Sequence, residues 1–286
     1  WIATANQRIH AAQYPHYITN EWAAPYRQQR IEQLLAAKPR HSLDSLREIQ
    51  ADVVSLATQR LLPTIRRARS NHVLAVAAQQ QLAGFDGTMR ADAAAPLIFW
   101  AWARQLTIAL FGDDVGPAMF ERTLESRSFR DALEGVLERG DEHWCDRQGT
   151  PEIETCAQQV DAAFTRALDE LAAQHGADIG KWKWGAAHLA RSEHRPLSNV
   201  AWLAPWFELR TPVGGDTFTV NVSRVSLRPL ARTGELYLDE HGPSLRALYD
   251  LGDPSKSRVM HSSGQSGIAF SPLSRSFVAA WERVDY

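Results

Sequence analysis

The amino-acid composition of the chain changes near residue 180, and this change limits the folds that the chain can form. Before residue 180, Ala, Leu, Gln, Arg and Glu dominate, and after it Gly, Pro, Ser, Thr and Val become frequent. The first set favours helices, whereas β-branched residues favour strands and Gly and Pro favour turns. The sequence therefore predicts an α+β fold, with an extended segment at 1–26, a helical block at 27–180 and a β-rich block at 181–286.

The helical block carries clear start and stop signals. A first helix should begin near Pro25, which suits a first helical turn, and end before Pro39. Ser42 is a good N-cap for the next helix, whose apolar residues follow at helical spacing as far as Leu61. Pro63 should end or kink that helix. The spacing predicts further helices at about 72–83, 93–111, 117–139 and 151–175.

Strand signals begin after residue 200. Residues 217–225 alternate around β-branched side chains, and the preceding Gly-Gly-Asp at 214–216 indicates a turn. Residues 244–251 and 257–261 are predicted to form further strands, and residues 277–281 a final short element.

The length and the charge exclude several classes of protein. The 286 residues include 31 Lys and Arg against 33 Asp and Glu, so the formal charge is only -2. We therefore expect no nucleic-acid partner, since such binding needs a strongly basic face. We also expect no membrane span, because no apolar run approaches about 18 residues. The first residue is Trp1 and no signal peptide follows it, which suggests that the chain begins inside a longer gene product.

Two cysteines lie close together in the sequence. Cys145 and Cys156 are 11 residues apart, and the Gly-Thr-Pro segment at 149–151 can turn the chain back between them. Either they form a local disulfide, which implies an oxidising compartment, or they are independent buried thiols. A zinc site is not expected, because His143 near Cys145 is accompanied by no second pair at ligand spacing.

The spacing of polar residues assembles no active site by itself. HExxH, GxSxG, GxGxxG and P-loop patterns are all missing from the sequence. His188 stands in the aromatic segment WKWGAAH, where a packing role is expected before a catalytic one. Asp250 and Asp253 flank Gly252, which favours a turn over a working carboxylate pair.

A series of sequence blocks resembles the penicillin amidase family of N-terminal-nucleophile hydrolases. The blocks run in family order over nearly the whole chain, and their combination is specific although each alone is weak. They are WIATANQRI, YPHYITNEWAAPYRQQRIEQLL, SLDSLREIQADVVSLATQRLLP, LAGFDGTMRADAAAPLIFWAW, WKWGAAH, VGGDTFTVN, GPSLRALYDL and GQSGIAFSPLSRSFVAAWERVDY.

The resemblance implies an amide hydrolase with a four-layer αββα fold. In this family, autocatalytic cleavage exposes a Ser at the start of the β chain, whose hydroxyl attacks the amide carbonyl while its own α-amino group acts as the base. Trp1 has no nucleophilic atom, so the chain looks like the C-terminal part of a β chain. We therefore expect the chain alone to be inactive, and its partners to be the other α and β segments of the same precursor and a small-molecule amide substrate.

Two residues match catalytic positions of the family. Asn6, in IATANQ, matches the Asn whose side-chain amide helps to form the oxyanion hole, although a turn or cap is the alternative role. Arg27, in WAAPYR, matches an Arg that orients the Asn and the substrate, although a surface role at a helix start is equally open. Arg30, one turn later, is expected to be a surface residue.

The resemblance also has limits that bear on cofactors and function. Several members bind calcium through an Asp shortly before the matching Trp22, but this stretch contains only Asn20 and Glu21, so no cofactor is expected. The substrate implied is a β-lactam side-chain amide or an acyl-homoserine lactone, and the localisation implied is periplasmic or secreted. The alternative function is that of a non-catalytic binding or assembly relative that keeps the acylase scaffold.

Overall fold

The computed structural model describes residues 1–124, 127–268 and 270–286, which form two units by contact. The first unit takes in residues 1–56, 188–225 and 238–286. The second takes in residues 57–187 and 226–237. The sequence predicted three blocks from the change in composition along the chain, at 1–26, 27–180 and 181–286. The two units are defined by contacts and not by composition, so the boundaries of the blocks stay a prediction.

Helices and short strands together confirm the predicted α+β class. The helices are α1 (Tyr26–Ala36), α2 (Leu43–Gln50), α3 (Leu56–Arg67), α4 (Ala75–Ala83), α5 (Ala95–Val115), α6 (Pro117–Thr123), α7 (Arg127–Arg139), α8 (Cys156–His175), α9 (Trp184–Ala187), α10 (Ala204–Phe207) and α11 (Val278–Arg283). The strands are β1 (Leu189–Ser192), β2 (Leu209–Pro212), β3 (Leu245–Leu248) and β4 (Arg258–His261). The predicted helix at 117–139 corresponds to α6 and α7, and its residues 125 and 126 lie outside the described residues.

The first two helices of the first unit begin where local signals predict. Helix α1 starts directly after Pro25 and ends at Ala36, before Pro39. Ser42 caps α2 through a reciprocal pair of bonds with Ser45: the Ser45 N–H donates to Ser42 Oγ at 3.2 Å, and the Ser42 N–H donates to Ser45 Oγ at 2.9 Å. The capping box satisfies two N–H groups that a helix start otherwise leaves without acceptors.

The predicted continuous helix from Ser42 to Leu61 is wrong, because the chain breaks between α2 and α3. At the break, Asp52 Oδ1 accepts the backbone N–H of Val54 at 3.2 Å. Short acidic side chains compete in this way with helical hydrogen bonds. The Asp52 carboxylate is also held by Arg30 of α1, so tertiary contact fixes the break.

Helix α3 continues through Pro63, where the sequence predicted an end or a kink. A proline inside a helix costs about 3 kcal/mol, because it removes one backbone hydrogen bond and crowds the preceding turn. Leu61, Leu62 and Ile65 on either side of it are almost completely buried. Burial of side chains of this size is worth about 1.5–3 kcal/mol each, which is enough to offset that cost.

Two small antiparallel sheets belong to the first unit. Strand β1 pairs with β2, with Leu189 opposite Pro212, and β3 pairs with β4, with Leu245 opposite His261. The two predicted strands at 244–251 and 257–261 are therefore confirmed as β3 and β4. The last predicted element, at 277–281, is the start of helix α11.

The predicted strand at 217–225 is wrong, because side chains hold this segment in successive turns. Asp216 Oδ1 accepts the N–H of Phe218 at 2.7 Å, and the Asp216 N–H donates to Thr219 Oγ1 at 2.9 Å. Gly215 has φ 86°, and a Cβ there would lie 2.5 Å from the carbonyl oxygen of Asn221. The turn needs a glycine at this point, and its local hydrogen bonds replace those of a sheet.

The second unit is built on the packing of α5 against α8. Arg104 and Gln105, which interrupt the most apolar stretch of the sequence, both donate to Glu170 Oε2 of α8, at 2.6 and 2.8 Å. The Tyr237 hydroxyl donates to the other oxygen of Glu170, and Arg104 Nε donates to the carbonyl oxygen of Leu227 at 2.8 Å. The polar residues of α5 thus form a shielded network that joins two helices to the segment at 226–237.

Burial controls the ionisation of Tyr237. It raises the pKa of the Tyr237 phenol well above its ordinary value, and the negative charge of Glu170 raises it further. Tyr237 therefore remains a neutral donor to the Glu170 carboxylate.

None of the helices formed by the described residues is long and apolar enough to cross a membrane.

Cys145 and Cys156 form a disulfide in the second unit. Their Cα atoms lie 4.9 Å apart, within the range that a disulfide requires. Cys156 is the first residue of α8, and Cys145 follows a short 3₁₀ turn at Glu142–Trp144. The bond therefore ties the start of a core helix to the loop before it.

Candidate functional site

Asn6 adopts a backbone conformation that places its side chain at a turn of the N-terminal segment. Its φ is 69°, in the left-handed region that Asn tolerates better than most residues. Its carbonyl oxygen accepts the N–H of Ala23 at 2.9 Å, which fixes the turn against the chain that leads into α1. The side chain of Asn6 itself is exposed.

Arg27, near the start of α1, holds the Asn6 side chain in one orientation. Its Nη2 donates to Asn6 Oδ1 at 2.9 Å and to the carbonyl oxygen of Ala5 at 2.8 Å. A guanidinium group can only donate hydrogen bonds, so the oxygen of the Asn6 amide must face it. The amide N–H groups of Asn6 therefore point away from Arg27, where they can donate to a further acceptor.

The arrangement of these two residues is chemically suited to stabilising a negative oxygen. An amide N–H that is fixed before the reaction needs little reorganisation when charge develops on the substrate. The structure thus brings together Asn6 and Arg27, which are 21 residues apart in the sequence.

Arg30 is not the surface residue that the sequence predicted. Its guanidinium binds the Asp52 carboxylate through two bonds, Nε to Oδ1 at 3.0 Å and Nη2 to Oδ2 at 2.7 Å. The hydrogen bond to Asp52 raises the pKa of Arg30. The Asp52 carbonyl oxygen also accepts the N–H of Asn221 at 2.9 Å, so the pair anchors α1 beside the site.

His188 has the packing role that the sequence suggested. Its side chain is completely buried, and its Nε2 lies 2.7 Å from the Ser223 hydroxyl oxygen. Its carbonyl oxygen accepts the N–H of Val213 at 3.2 Å. These contacts join the start of β1 to two other segments of the first unit.

Asp239 is a candidate functional residue that the sequence reasoning missed. It is 2% exposed, and its Oδ1 accepts the N–H of His241 at 3.0 Å. Among the described residues, no donor lies in hydrogen-bonding geometry at its Oδ2. Burial raises the pKa of the Asp239 carboxyl to about 6, and the hydrogen bond from His241 together with weaker interactions with the Ser223 hydroxyl and the Arg224 N–H offsets only part of that effect. A buried, half-satisfied carboxylate of this kind is a frequent mark of a functional site.

We expect Asp239→Asn to stabilise the protein at pH 8. The folded state favours the protonated acid, because its pKa rises from 3.8 to about 6. The destabilising effect of the carboxylate is therefore absent below about pH 4 and complete above about pH 6. Since Asn resembles the protonated acid, the variant should gain about 2–3 kcal/mol in free energy of unfolding at pH 8 and little at pH 4.

Urea unfolding at both pH values measures this effect. Glu240→Gln is the control, because Glu240 neighbours Asp239 in sequence but its side chain is 44% exposed and is ion-paired with Arg191. It should change stability by less than about 1 kcal/mol. A loss of stability in Asp239→Asn at pH 8 would contradict the interpretation that the carboxylate is strained.

Arg191 of β1 lies among three carboxylates. Its guanidinium is 3.0 Å from Glu208, 3.1 Å from Glu240 and in contact with Glu193. Burial acts to lower the pKa of Arg191, but the hydrogen bonds and charges of Glu208 and Glu193 outweigh it and raise the pKa above its ordinary value. The positive charge of Arg191 is therefore already balanced within its own network.

A sequence signal for Asp239 existed, although it was weak. Leu236, Tyr237 and Leu238 before it are all buried, so an acid that directly follows this run is expected to lie at the edge of the core.

The described residues contain no group of three or more His, Cys, Asp or Glu side chains that could hold a metal ion.

Sequence comparisons relate this chain to known amidases and acylases. The family model described as penicillin amidase matches residues 1–286. The acyl-homoserine lactone acylase QuiP of Pseudomonas putida is 30% identical to this chain over 314 residues, which cover 98% of the chain and 36% of that protein. Penicillin acylase 2 proenzyme of a Pseudomonas species is 28% identical over 289 residues, which cover 98% of the chain and 35% of that protein.

A solved structure shows that the fold is shared. The thermostable penicillin G acylase from Alcaligenes faecalis matches with a TM-score of 0.57 and 13% identity, over 99% of this chain and 52% of that one. The likeness confirms the predicted fold class, that of part of an N-terminal-nucleophile hydrolase. The chain spans about 36% of the length of QuiP from Pseudomonas putida. Because the family model covers every residue, the chain belongs to the penicillin amidase family of amide-hydrolysing acylases.

Proposed function

We propose that this chain forms part of an acylase that hydrolyses a carbon–nitrogen amide bond through an acyl-enzyme, with Asn6 as an oxyanion donor. The observation that carries the proposal is the bond from Arg27 to Asn6 Oδ1, because it leaves the amide N–H groups directed elsewhere. Family membership supports amide hydrolysis as the reaction. In this proposal Arg27 is a positioning residue, which acts on the reaction through Asn6.

The nucleophile in this proposal is the hydroxyl of an N-terminal Ser outside residues 1–286. Its α-amino group takes the hydroxyl proton as the oxygen attacks the amide carbon, and the developing oxyanion accepts the Asn6 N–H. The protonated α-amino group then gives its proton to the substrate nitrogen as the tetrahedral intermediate collapses, so that the carbon–nitrogen bond breaks, the amine leaves and an ester remains on the Ser. Water then hydrolyses that ester and releases the acid.

The substrate class follows from the relatives. QuiP is named as an acyl-homoserine lactone acylase, and another relative as a penicillin acylase. We therefore propose an acyl-homoserine lactone or a β-lactam side-chain amide as the substrate. Assays of the intact enzyme on one compound of each class would distinguish the two, and turnover of neither would contradict the proposal.

The partners in this proposal are the other α and β segments of the same precursor. Several large apolar side chains of the first unit are exposed, among them Trp202, Trp206, Leu251 and Phe270. We propose that other segments of the precursor cover these side chains, because burial of large apolar groups is favourable. The chain alone should therefore give no turnover on either substrate class, and activity from a pure preparation of residues 1–286 would contradict the assigned roles.

The proposed localisation is the periplasm or the outside of the cell. The disulfide between Cys145 and Cys156 supports it, because disulfides persist in oxidising compartments. Osmotic shock of the producing cells, followed by detection of the protein in the released fraction, would test this. Retention with a cytoplasmic marker would contradict it.

We expect Arg27→Met in the intact enzyme to lower kcat by about tenfold, since Asn6 then loses the donor that orients its amide. The decisive measurement is a double-mutant cycle with Asn6→Ala. If Arg27 acts through Asn6, its substitution in the Asn6→Ala background should cost less than about threefold. Arg27→Lys, which keeps a donor, should recover part of the loss. Equal tenfold losses in both backgrounds would show that Arg27 acts independently of Asn6.

A further inference from the structure

The turn segment at 215–221 contacts the helix that carries Arg27. The Phe218 ring packs edge-on against the ring of Tyr26, the first residue of α1, with the two ring centroids 6.0 Å apart. Both side chains are buried, and aromatic rings attract each other in this geometry. Because Tyr26 directly precedes Arg27, the contact fixes the start of the helix from which Arg27 reaches Asn6.

A second contact from the same segment acts one helical turn later. Arg30 neighbours Arg27 on the surface of α1, since residues three apart in a helix lie side by side. The Arg30 guanidinium binds both oxygens of the Asp52 carboxylate. The Asp52 carbonyl oxygen accepts the N–H of Asn221 at 2.9 Å. Asn221 therefore holds the residue that holds α1.

Asn221 is itself fixed by bonds from two other residues. Its carbonyl oxygen accepts the Thr219 hydroxyl at 2.8 Å, and its Oδ1 accepts Nη2 of Arg246 at 2.8 Å. A guanidinium group only donates hydrogen bonds, so the oxygen of the Asn221 amide must face Arg246. Hydrogen bonds from a charged donor are also stronger than those between neutral groups.

Arg246 is a rigid base for this bond. It is 7% exposed, and its Nη1 donates to the Trp281 carbonyl oxygen of α11 at 2.7 Å. Its guanidinium also lies 4.8 Å from the centroid of the Trp281 ring, where a cation is attracted to the aromatic face. The side chain of Asn221 thus connects the support of α1 to a buried part of the first unit.

We propose that Asn221 is a positioning residue, which fixes α1 through Asp52 and thereby the donor that orients the Asn6 amide. The inference rests on the proposed function, because it adds a residue that acts on the same site. An oxyanion donor is effective only at hydrogen-bonding distance from the developing charge, and a misplacement of about 1 Å can cost about 100-fold in rate.

Steady-state kinetics of the intact enzyme would test this role. We expect Asn221→Ala to lower kcat by about fivefold or more and to leave KM within about twofold, because the loss affects the transition state. In the Asn6→Ala background the same substitution should cost less than about twofold, since the amide that it positions is then absent. Asn221→Asp keeps an oxygen that accepts from Arg246, and it should restore most of the activity.

A matched variant separates this role from a general loss of stability. Ser198→Ala also removes a hydrogen-bond acceptor in the first unit, because the buried Ser198 accepts the His194 N–H through Oγ at 2.8 Å. It should leave kcat within about twofold. Circular dichroism at the assay temperature confirms that each variant is folded.

Hydrogen exchange of the intact enzyme, read by mass spectrometry, gives a measurement that needs no turnover. The peptide of interest contains α1 and Ala23, whose N–H donates to the Asn6 carbonyl oxygen. Asn221→Ala should speed exchange in this peptide by at least about tenfold, because α1 loses part of its support, whereas Asn221→Asp should exchange like the parent.

Three results would each overturn the proposal. These are an unchanged kcat in Asn221→Ala, an equal loss of kcat in the Asn6→Ala background, and unchanged exchange in the peptide that contains α1. If the parent enzyme turned over neither substrate class, the proposed function would fail by itself. The exchange measurement would then still decide whether Asn221 holds the helix.

Discussion

Replacement of Asn6 by Ala in the intact enzyme is expected to lower kcat by about 100-fold or more, with little change in KM. The loss falls on kcat because the Asn6 amide meets full negative charge only after the nucleophile has attacked the carbonyl carbon. Removal of one oxyanion donor typically costs about 100–1000-fold in rate. Steady-state kinetics on the better of the two substrate classes measures the effect.

A matched control separates this role from a general effect on the fold. Asn199→Ala makes the same substitution at an exposed residue of the 3₁₀ turn at Leu197–Asn199, and it should leave both constants within about twofold. Circular dichroism and thermal unfolding of Asn6→Ala should match the parent enzyme. A fall in kcat of less than threefold would reduce Asn6 to a turn residue.

Glu170→Ala should destabilise the second unit by about 3–5 kcal/mol. The side chains of Arg104 and Glu170 are only 13% and 12% exposed, so loss of the carboxylate leaves the Arg104 charge buried without its ion partner. The Tyr237 hydroxyl and the Gln105 amide lose their acceptor at the same time. Urea unfolding followed by circular dichroism measures the difference in free energy.

Two further variants identify the cause of that loss. Arg104→Met combined with Glu170→Leu removes both charges, and it should be less destabilised than Glu170→Ala alone, because no buried charge is left over. Glu138→Ala is the surface control, since its ion pair with Arg60 joins side chains that are about half exposed, and it should cost less than about 1 kcal/mol. If the double variant were as unstable as Glu170→Ala, the network would owe its strength to packing instead of charge.

The elements that the sequence predicted best are those that depend on interactions between residues close together in the chain. Helix α1 between Pro25 and Pro39 and the Ser42 cap of α2 follow from interactions within one turn of helix. Residues 217–225 were mistaken for a strand because their alternation matches the pleat, whereas Asp216 and Thr219 bond to the backbone nearby. The alternation of side chains is the same in a segment held by local hydrogen bonds and in a strand paired in a sheet. It therefore does not show which of the two forms.

The candidate site depends on contacts between residues that are far apart in the sequence. Asn6 and Arg27 had no motif of their own, and only the resemblance singled them out. The structure then added the bond between them, which decides where the Asn6 amide points. The sequence predicted a surface position for Arg30, because its partner Asp52 is 22 positions away and no local pattern connects the two.

By itself, the sequence determined the α+β class, the main helices, the strands β3 and β4 and the family to which the chain belongs. These properties rest on residue preferences and on the order of short blocks along the chain. Only the tertiary structure decided that α2 and α3 are separate helices, that α3 passes through Pro63, and that Asp239 is buried with one oxygen unused. The physical reason is that burial and pairing depend on which distant segments come together, and one residue's environment then changes the energy of its conformation and its charge by several kcal/mol.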